Sequence, residues 1–160
     1  MNLNFSKTAF ADEADKTTLV YGSTDYTRIN PAMDEHCEIN VLLFDGLTDH
    51  DGDNQIIPRL AKSWEYDKEN LTYTFHLEEG VKWHDGEPFT AEDVKFTFEA
   101  IMDPANESEN APDYEDIESI EVIDEHTVAF HLSNVNTAFL EYMTKPVMPK
   151  HLLEGEDWQT

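Results

Sequence analysis

Two pairs of segments alternate apolar and polar residues with the two-residue period of a half-buried β-strand. The first pair covers residues 63–66 and 71–77, and the second covers residues 117–123 and 127–132. Only a few polar residues separate the two members of each pair, so we expect two antiparallel hairpins. In the first hairpin we expect cross-strand aromatic pairs. The aromatic residues are Trp64, Tyr66, Tyr73 and Phe75.

A helical period appears between the two hairpins. Thr90 and Asp93 have the spacing of a capping box, in which each side chain accepts a hydrogen bond from the backbone amide of the other residue. We therefore predict a helix over residues 91–102 that ends before Pro104. Its buried face carries Val94, Phe98 and Ile101. A short second helix is predicted within residues 136–146.

The other segments have weaker patterns. Residues 17–21 favour a first strand, and the apolar cluster within residues 34–46 favours a buried helix. Residues 104–116 are polar and acidic, and Tyr114 is the only large apolar side chain among them. This composition predicts a mobile loop.

Composition then limits the possible partners. The chain has 160 residues, with 35 Asp and Glu against 10 Lys and Arg, and a formal net charge of −25. Phosphate backbones and anionic headgroups repel such a charge, so nucleic acid is excluded as a partner. With 39% hydrophobic and 11% aromatic residues, the chain has enough apolar mass to fold around one core.

Neither a catalytic nor a metal site is expected. Cys37 is the single cysteine, which excludes an intrachain disulfide and a two-cysteine zinc motif. The His-Asp pair within residues 83–86 has no nucleophile beside it, and we interpret it as a turn. The alternating carboxylates of residues 49–53 lack the glycine and glutamate that a calcium loop requires. No cofactor is predicted.

Eight short motifs occur in a fixed order along the chain. They are FDGL at 44–47, LAKSWE at 60–65, LTYTFHL at 71–77, GVKWHDG at 80–86, PFTAEDV at 88–94, IESIE at 117–121, VAFHL at 128–132 and PKHL at 149–152. In these motifs the sequence resembles the family 5 extracellular solute-binding proteins, the receptors of peptide and nickel ABC importers. The resemblance covers about residues 17–155.

The resemblance implies an α/β fold of the periplasmic-binding-protein type (type II, cluster C), with a mixed sheet, hairpins and flanking helices. Family members are several times longer and close two lobes around their ligand. We therefore expect residues 17–160 to be the N-terminal part of lobe I. Residues 1–16 are expected to be a signal-peptide remnant or a disordered tail, because residues 9–11 read Ala-Phe-Ala, as at a cleavage site.

By the same resemblance, the protein is not an enzyme. It would capture oligopeptides outside the cytoplasmic membrane, as an exported protein, and deliver them to ABC permease subunits. Two alternatives remain: a receptor for nickel or another metal chelate, and a fragment that binds no ligand and only folds or self-associates.

Two segments, residues 23–33 and 106–114, would border the ligand cleft. The cleft-facing candidates are Ser23, Tyr26, Met33 and Tyr114. Nickel-chelate binders offer Arg and Trp from the second segment, whereas this chain has carboxylates there: Glu107, Glu109 and Asp113. Their charge favours a cationic or zwitterionic peptide over an anionic chelate.

Overall fold

A computed structural model describes residue 30 and residues 40–156 of the chain. The strand predicted at 17–21 and most of the helix predicted at 34–46 lie outside these residues. The helices are α1 (Asn40–Leu43), α2 (Ala91–Met102), α3 (Phe139–Tyr142) and α4 (Lys150–Leu153). The strands are β1 (Thr48–His50), β2 (Ile56–Pro58), β3 (Ala61–Asp67), β4 (Thr72–Leu77), β5 (Ile117–Asp124) and β6 (Thr127–Leu132).

Both predicted hairpins are confirmed, and they join in one four-stranded sheet of order β3-β4-β6-β5. Strands β4 and β6 pair in the centre, with Phe75 opposite Val128 and Tyr73 opposite Phe130. Strands β1 and β2 form a separate two-stranded sheet. All pairs among the described strands are antiparallel. With the helices, these sheets confirm the α/β fold class.

The core lies between one face of the large sheet, α2 and α3. Phe75, Phe98 and Phe130 are fully buried at its centre. The Phe130 ring meets Phe75 at 5.6 Å and Phe98 at 5.3 Å between centroids, in both cases edge to face. Phe139 of α3 completes the cluster at 5.6 Å from Phe130. Edge-to-face contacts of this kind add attraction beyond the buried area, so the aromatic residues determine how the layers pack.

Helix α2 has the bounds that the capping box predicts. The Thr90 hydroxyl accepts from the Glu92 amide at 3.3 Å, and the Asp93 carboxylate accepts from the Thr90 amide at 2.9 Å. The predicted core face is confirmed, because Val94, Phe98 and Ile101 are fully buried. Among the described residues, no helix has the length and apolar character needed to cross a bilayer.

Residues 104–116 are not the irregular mobile loop that their composition predicts. They contain two 3₁₀ helices, Pro104–Asn106 and Ala111–Tyr114. The Asp103 carboxylate caps the first by accepting from the Ala105 amide at 2.9 Å. Ser108, Asn110 and Tyr114 are buried, which ties the segment to the core. Polar composition misled the prediction because these polar groups are used in caps and internal hydrogen bonds.

Candidate ligand-binding wall

The structure brings residues 106–114, one of the predicted cleft segments, against residues 143–147, which follow α3. We call these two segments together the wall. Two hydrogen bonds join the wall and its flanks: Lys145 Nζ donates to Asn110 Oδ1 at 2.8 Å, and Tyr114 Oη donates to the Tyr142 carbonyl at 2.9 Å. Both contacts link parts of the chain that are about thirty residues apart.

Backbone contacts with the start of β1 hold the 143–147 segment in place. The Met143 carbonyl accepts from the Leu47 amide at 2.9 Å and from the Thr48 amide at 3.2 Å, and the Val147 amide donates to the Asp45 carbonyl at 2.9 Å. Gly46 lies directly between these contacts. A Cβ atom at Gly46 would stand 2.5 Å from the Thr144 backbone, so only glycine permits this approach. Lys145 is therefore presented from a fixed loop.

The electrostatics of the wall combine both signs of charge. Lys145 is half-buried, whereas Glu107, Glu109 and Asp113 are exposed on the facing segment. Asn110 is 6% exposed, and its amide oxygen can accept from the ammonium without neutralising it. An ammonium so oriented can also pair with a carboxylate, and the flanking acidic residues can attract a cationic group.

Of the four predicted cleft residues, Ser23, Tyr26 and Met33 lie outside the described residues. Tyr114 lies in the core and is 3% exposed. Its ring packs 5.2 Å from that of Phe98, and desolvation by burial raises the pKa of its hydroxyl above the ordinary value. Its hydroxyl donates to the Tyr142 carbonyl, so the side chain is buried between α2 and the end of α3 within the described residues. A contact of Tyr114 with a ligand stays a prediction.

Sequence reasoning did not single out Lys145. A lone lysine before Pro146 has no motif or spacing that marks it. What distinguishes this residue is its contact with Asn110, which depends on the packing of α3 beside the 3₁₀ segment. Composition indicates only that the chain has few cations, 10 Lys and Arg against 35 Asp and Glu, so each cation contributes a large share of the positive charge.

Two other features of the described part are not ligand sites of this kind. A cavity of about 90 Å³ beside Trp83, lined by Leu43, Phe44 and Leu60, is smaller than the roughly 300–1,000 Å³ of small-molecule sites. Across residues 40–156, no group of three or more His, Cys, Asp and Glu side chains is placed to hold a metal ion.

Comparison with known proteins identifies the class. The family model for bacterial extracellular solute-binding proteins, family 5 Middle, matches residues 55–159. The chain belongs to this family, as the ordered motifs indicate. Its described residues have the fold of the corresponding part of solved family members.

Three known proteins illustrate the similarity. Di/tripeptide-binding protein 1 of Pseudomonas aeruginosa is 37% identical over 122 residues, which cover 65% of this chain and 23% of that protein. The crystal structure of NikZ from Campylobacter jejuni in complex with Ni(L-His) has a TM-score of 0.82 and 41% identity, covering 86% of this chain and 28% of that one. The oligopeptide-binding protein AppA from Bacillus subtilis, in complex with a nonapeptide, has a TM-score of 0.74 and 26% identity, covering 80% and 26%.

The chain spans about a fifth of the length of the curated relatives that it matches, between 19% and 24%. The ligands named for these larger proteins are therefore ligands of those proteins, and this chain corresponds to only a part of each.

Proposed function

We propose that this chain is part of the substrate-binding component of an ABC importer, which captures oligopeptides outside the cytoplasmic membrane and delivers them to the permease subunits. The family consists of solute-binding proteins, and no covalent chemistry is part of the proposal. The names of the Pseudomonas aeruginosa and Bacillus subtilis proteins support peptide as the ligand class. The extracellular character of the family supports export.

The observation that carries the proposal is the hydrogen bond from Lys145 to Asn110 on the wall, beside exposed carboxylates. A peptide in water has an ammonium at one end and a carboxylate at the other. A fixed ammonium among acidic groups complements both ends, whereas a uniformly acidic wall would repel the carboxylate. The positive charge of Lys145 therefore offsets the repulsion that the acidic side chains of the wall would exert on the free carboxylate of a ligand.

The domain arrangement is also a proposal. Residues 17–160 would form the N-terminal part of lobe I, and residues 1–16 a signal-peptide remnant or disordered tail. Within lobe I, Ser23, Tyr26 and Met33 would complete the wall from the first segment. Capture would then proceed by closure of a second lobe over the ligand, which shifts the protein toward a closed state.

A nickel complex is the second candidate ligand. The specific observation in its favour is the similarity to NikZ, whose structure holds Ni(L-His). Such a complex presents carboxylates, which Lys145 could pair with. The carboxylates at Glu107, Glu109 and Asp113 would oppose an anionic chelate, but nickel–L-histidine is not anionic and is not repelled by them.

A titration of the 160-residue chain, followed by amide chemical shifts, separates the two ligands. The probes are trialanine and the nickel–L-histidine complex. We expect trialanine to shift the Asn110 and Lys145 signals saturably, with a Kd on the order of 1 mM for so small a part of the family's length. Substitution Lys145→Met, which keeps the apolar stem, should weaken binding about tenfold, and Lys62→Met, remote on β3, should not.

Saturable binding of the nickel complex without trialanine binding would overturn the peptide assignment. Shifts from neither probe would favour a fragment without a ligand of its own. Light scattering on the same samples reports whether the chain self-associates.

A further inference from the structure

Helix α4 is held to the rest of the protein by three polar contacts at its first two residues. The Lys150 amide donates to Asp93 Oδ1 at 2.9 Å, and Lys150 Nζ pairs with Glu92 Oε2 at 2.9 Å. His151 Nε2 lies 2.7 Å from Asp85 Oδ2, which belongs to the turn before α2. The helix is four residues long and none of them is fully buried; Leu153 packs partly against the core, and the polar contacts add to this apolar contact.

The first two contacts hold at any pH near neutral. The hydrogen bond to Glu92 raises the pKa of Lys150 above its ordinary value, so the ammonium stays charged. Asp93 is 4% exposed and accepts from two backbone amides, those of Thr90 and Lys150. Only the third contact contains a group whose ordinary pKa lies near physiological pH.

The surroundings of His151 are predominantly acidic. Asp85 and Glu87 face it from the turn, and Asp93 faces it from α2. Glu92 of α2 and Glu154 at the end of α4 lie beside Lys150. Among the charged groups described around His151, Lys150 is the single cation. A positive imidazolium is favoured in this position, and a neutral imidazole loses most of the attraction.

We propose that His151 and Asp85 form a pH-sensitive latch, which fastens α4 to the turn at residues 83–86 when the imidazole is protonated and releases it when the proton leaves.

The direction of the pH dependence follows from the pair. The hydrogen bond to Asp85 raises the pKa of His151 above 6.5, and the hydrogen bond from His151 lowers the pKa of Asp85 below 3.8. The histidine contribution is complete below the ordinary histidine pKa and is lost as pH rises through the raised value. The carboxylate contribution is present above the ordinary aspartate pKa and is lost as pH falls through the lowered value. The latch is therefore tightest between about pH 4 and 6.5.

Trp83 provides a reporter within the latch. Its ring centroid is 6.5 Å from that of His151, and its indole Nε1 is buried without a hydrogen-bond partner among the described residues. The indole N–H signal should therefore respond to the charge and position of the imidazole.

The test follows the His151 ring signals, the Trp83 indole signal and amide exchange in α4 of the full chain, from pH 5 to 8.5. In the wild type we expect amide exchange in α4, corrected for intrinsic rates, to be about threefold slower at pH 5.5 than at pH 8, in keeping with the modest strength of an exposed ion pair. Asp85→Asn keeps an oxygen to accept from the Glu87 amide at 3.1 Å but removes the charge. It should lower the His151 titration midpoint and abolish the difference in exchange.

Two further variants make the result specific. His151→Gln keeps a hydrogen-bond donor but does not titrate, so α4 protection should become independent of pH. Glu87→Gln removes a carboxylate that faces His151 only at longer range, and it should leave most of the pH dependence in place. An unchanged His151 midpoint in Asp85→Asn, or protection in the wild type that does not vary with pH, would overturn the latch.

Discussion

Gly46 offers the sharpest test of how the wall is built, because the substitution Gly46→Ala adds one atom at a backbone crossing. The new Cβ would lie 2.5 Å from both the Thr144 carbonyl carbon and its oxygen, and 2.8 Å from the Met143 carbonyl oxygen. Such contacts require the two chain segments to separate. These neighbours are backbone atoms, so no side-chain rotation can relieve the overlap.

The expected cost can be worked out from the contacts at risk. Three backbone hydrogen bonds join the two segments: Leu47 and Thr48 to Met143, and Val147 to Asp45. At roughly 1 kcal/mol net for each bond, together with the strain of overpacking, we expect the free energy of unfolding to fall by about 3 kcal/mol. The shift of residues 143–147 should also break the contact between Lys145 and Asn110, so trialanine binding should weaken as well.

Gly52→Ala is the matched control, since a Cβ at Gly52 has no atom within 4 Å. It should leave stability unchanged or raise it by up to about 1 kcal/mol, through the smaller entropy of the unfolded chain. Urea unfolding followed by circular dichroism measures both variants. If Gly46→Ala and Gly52→Ala differ by less than about 0.5 kcal/mol, the crossing does not constrain the wall and the reasoning fails.

Three further substitutions can be measured by the same urea unfolding. Thr90→Ala should cost about 1 kcal/mol through loss of the cap on α2, and an unchanged midpoint would contradict the capping box. Phe75→Ala should cost about 4 kcal/mol, because a fully buried ring leaves a cavity; a loss under 1 kcal/mol would mean that the core is loosely packed. Tyr114→Phe should cost about 1 kcal/mol by leaving the Tyr142 carbonyl without its donor, while trialanine binding persists. Loss of trialanine binding in this variant would indicate that the Tyr114 hydroxyl contacts the ligand.

The sequence by itself determined the elements whose partners are close along the chain. The two hairpins follow from alternation and short turns, since a strand with one apolar face and a nearby partner has few alternative pairings. The bounds of α2 follow from Thr90, Asp93 and Pro104, which act within one or two helical turns. The family was also accessible from the order of the motifs, without any structure.

Only the tertiary structure decided which distant surfaces meet. Periodicity shows that Phe75 and Val128 point inward, but their pairing across β4 and β6 depends on how the two hairpins dock. Tyr114 was predicted from the family resemblance to face the cleft, and only the tertiary structure shows that its ring is buried against that of Phe98. Lys145 had no local signal at all. Its position results from long-range contacts, whose free energy depends on packing and desolvation that no local pattern records.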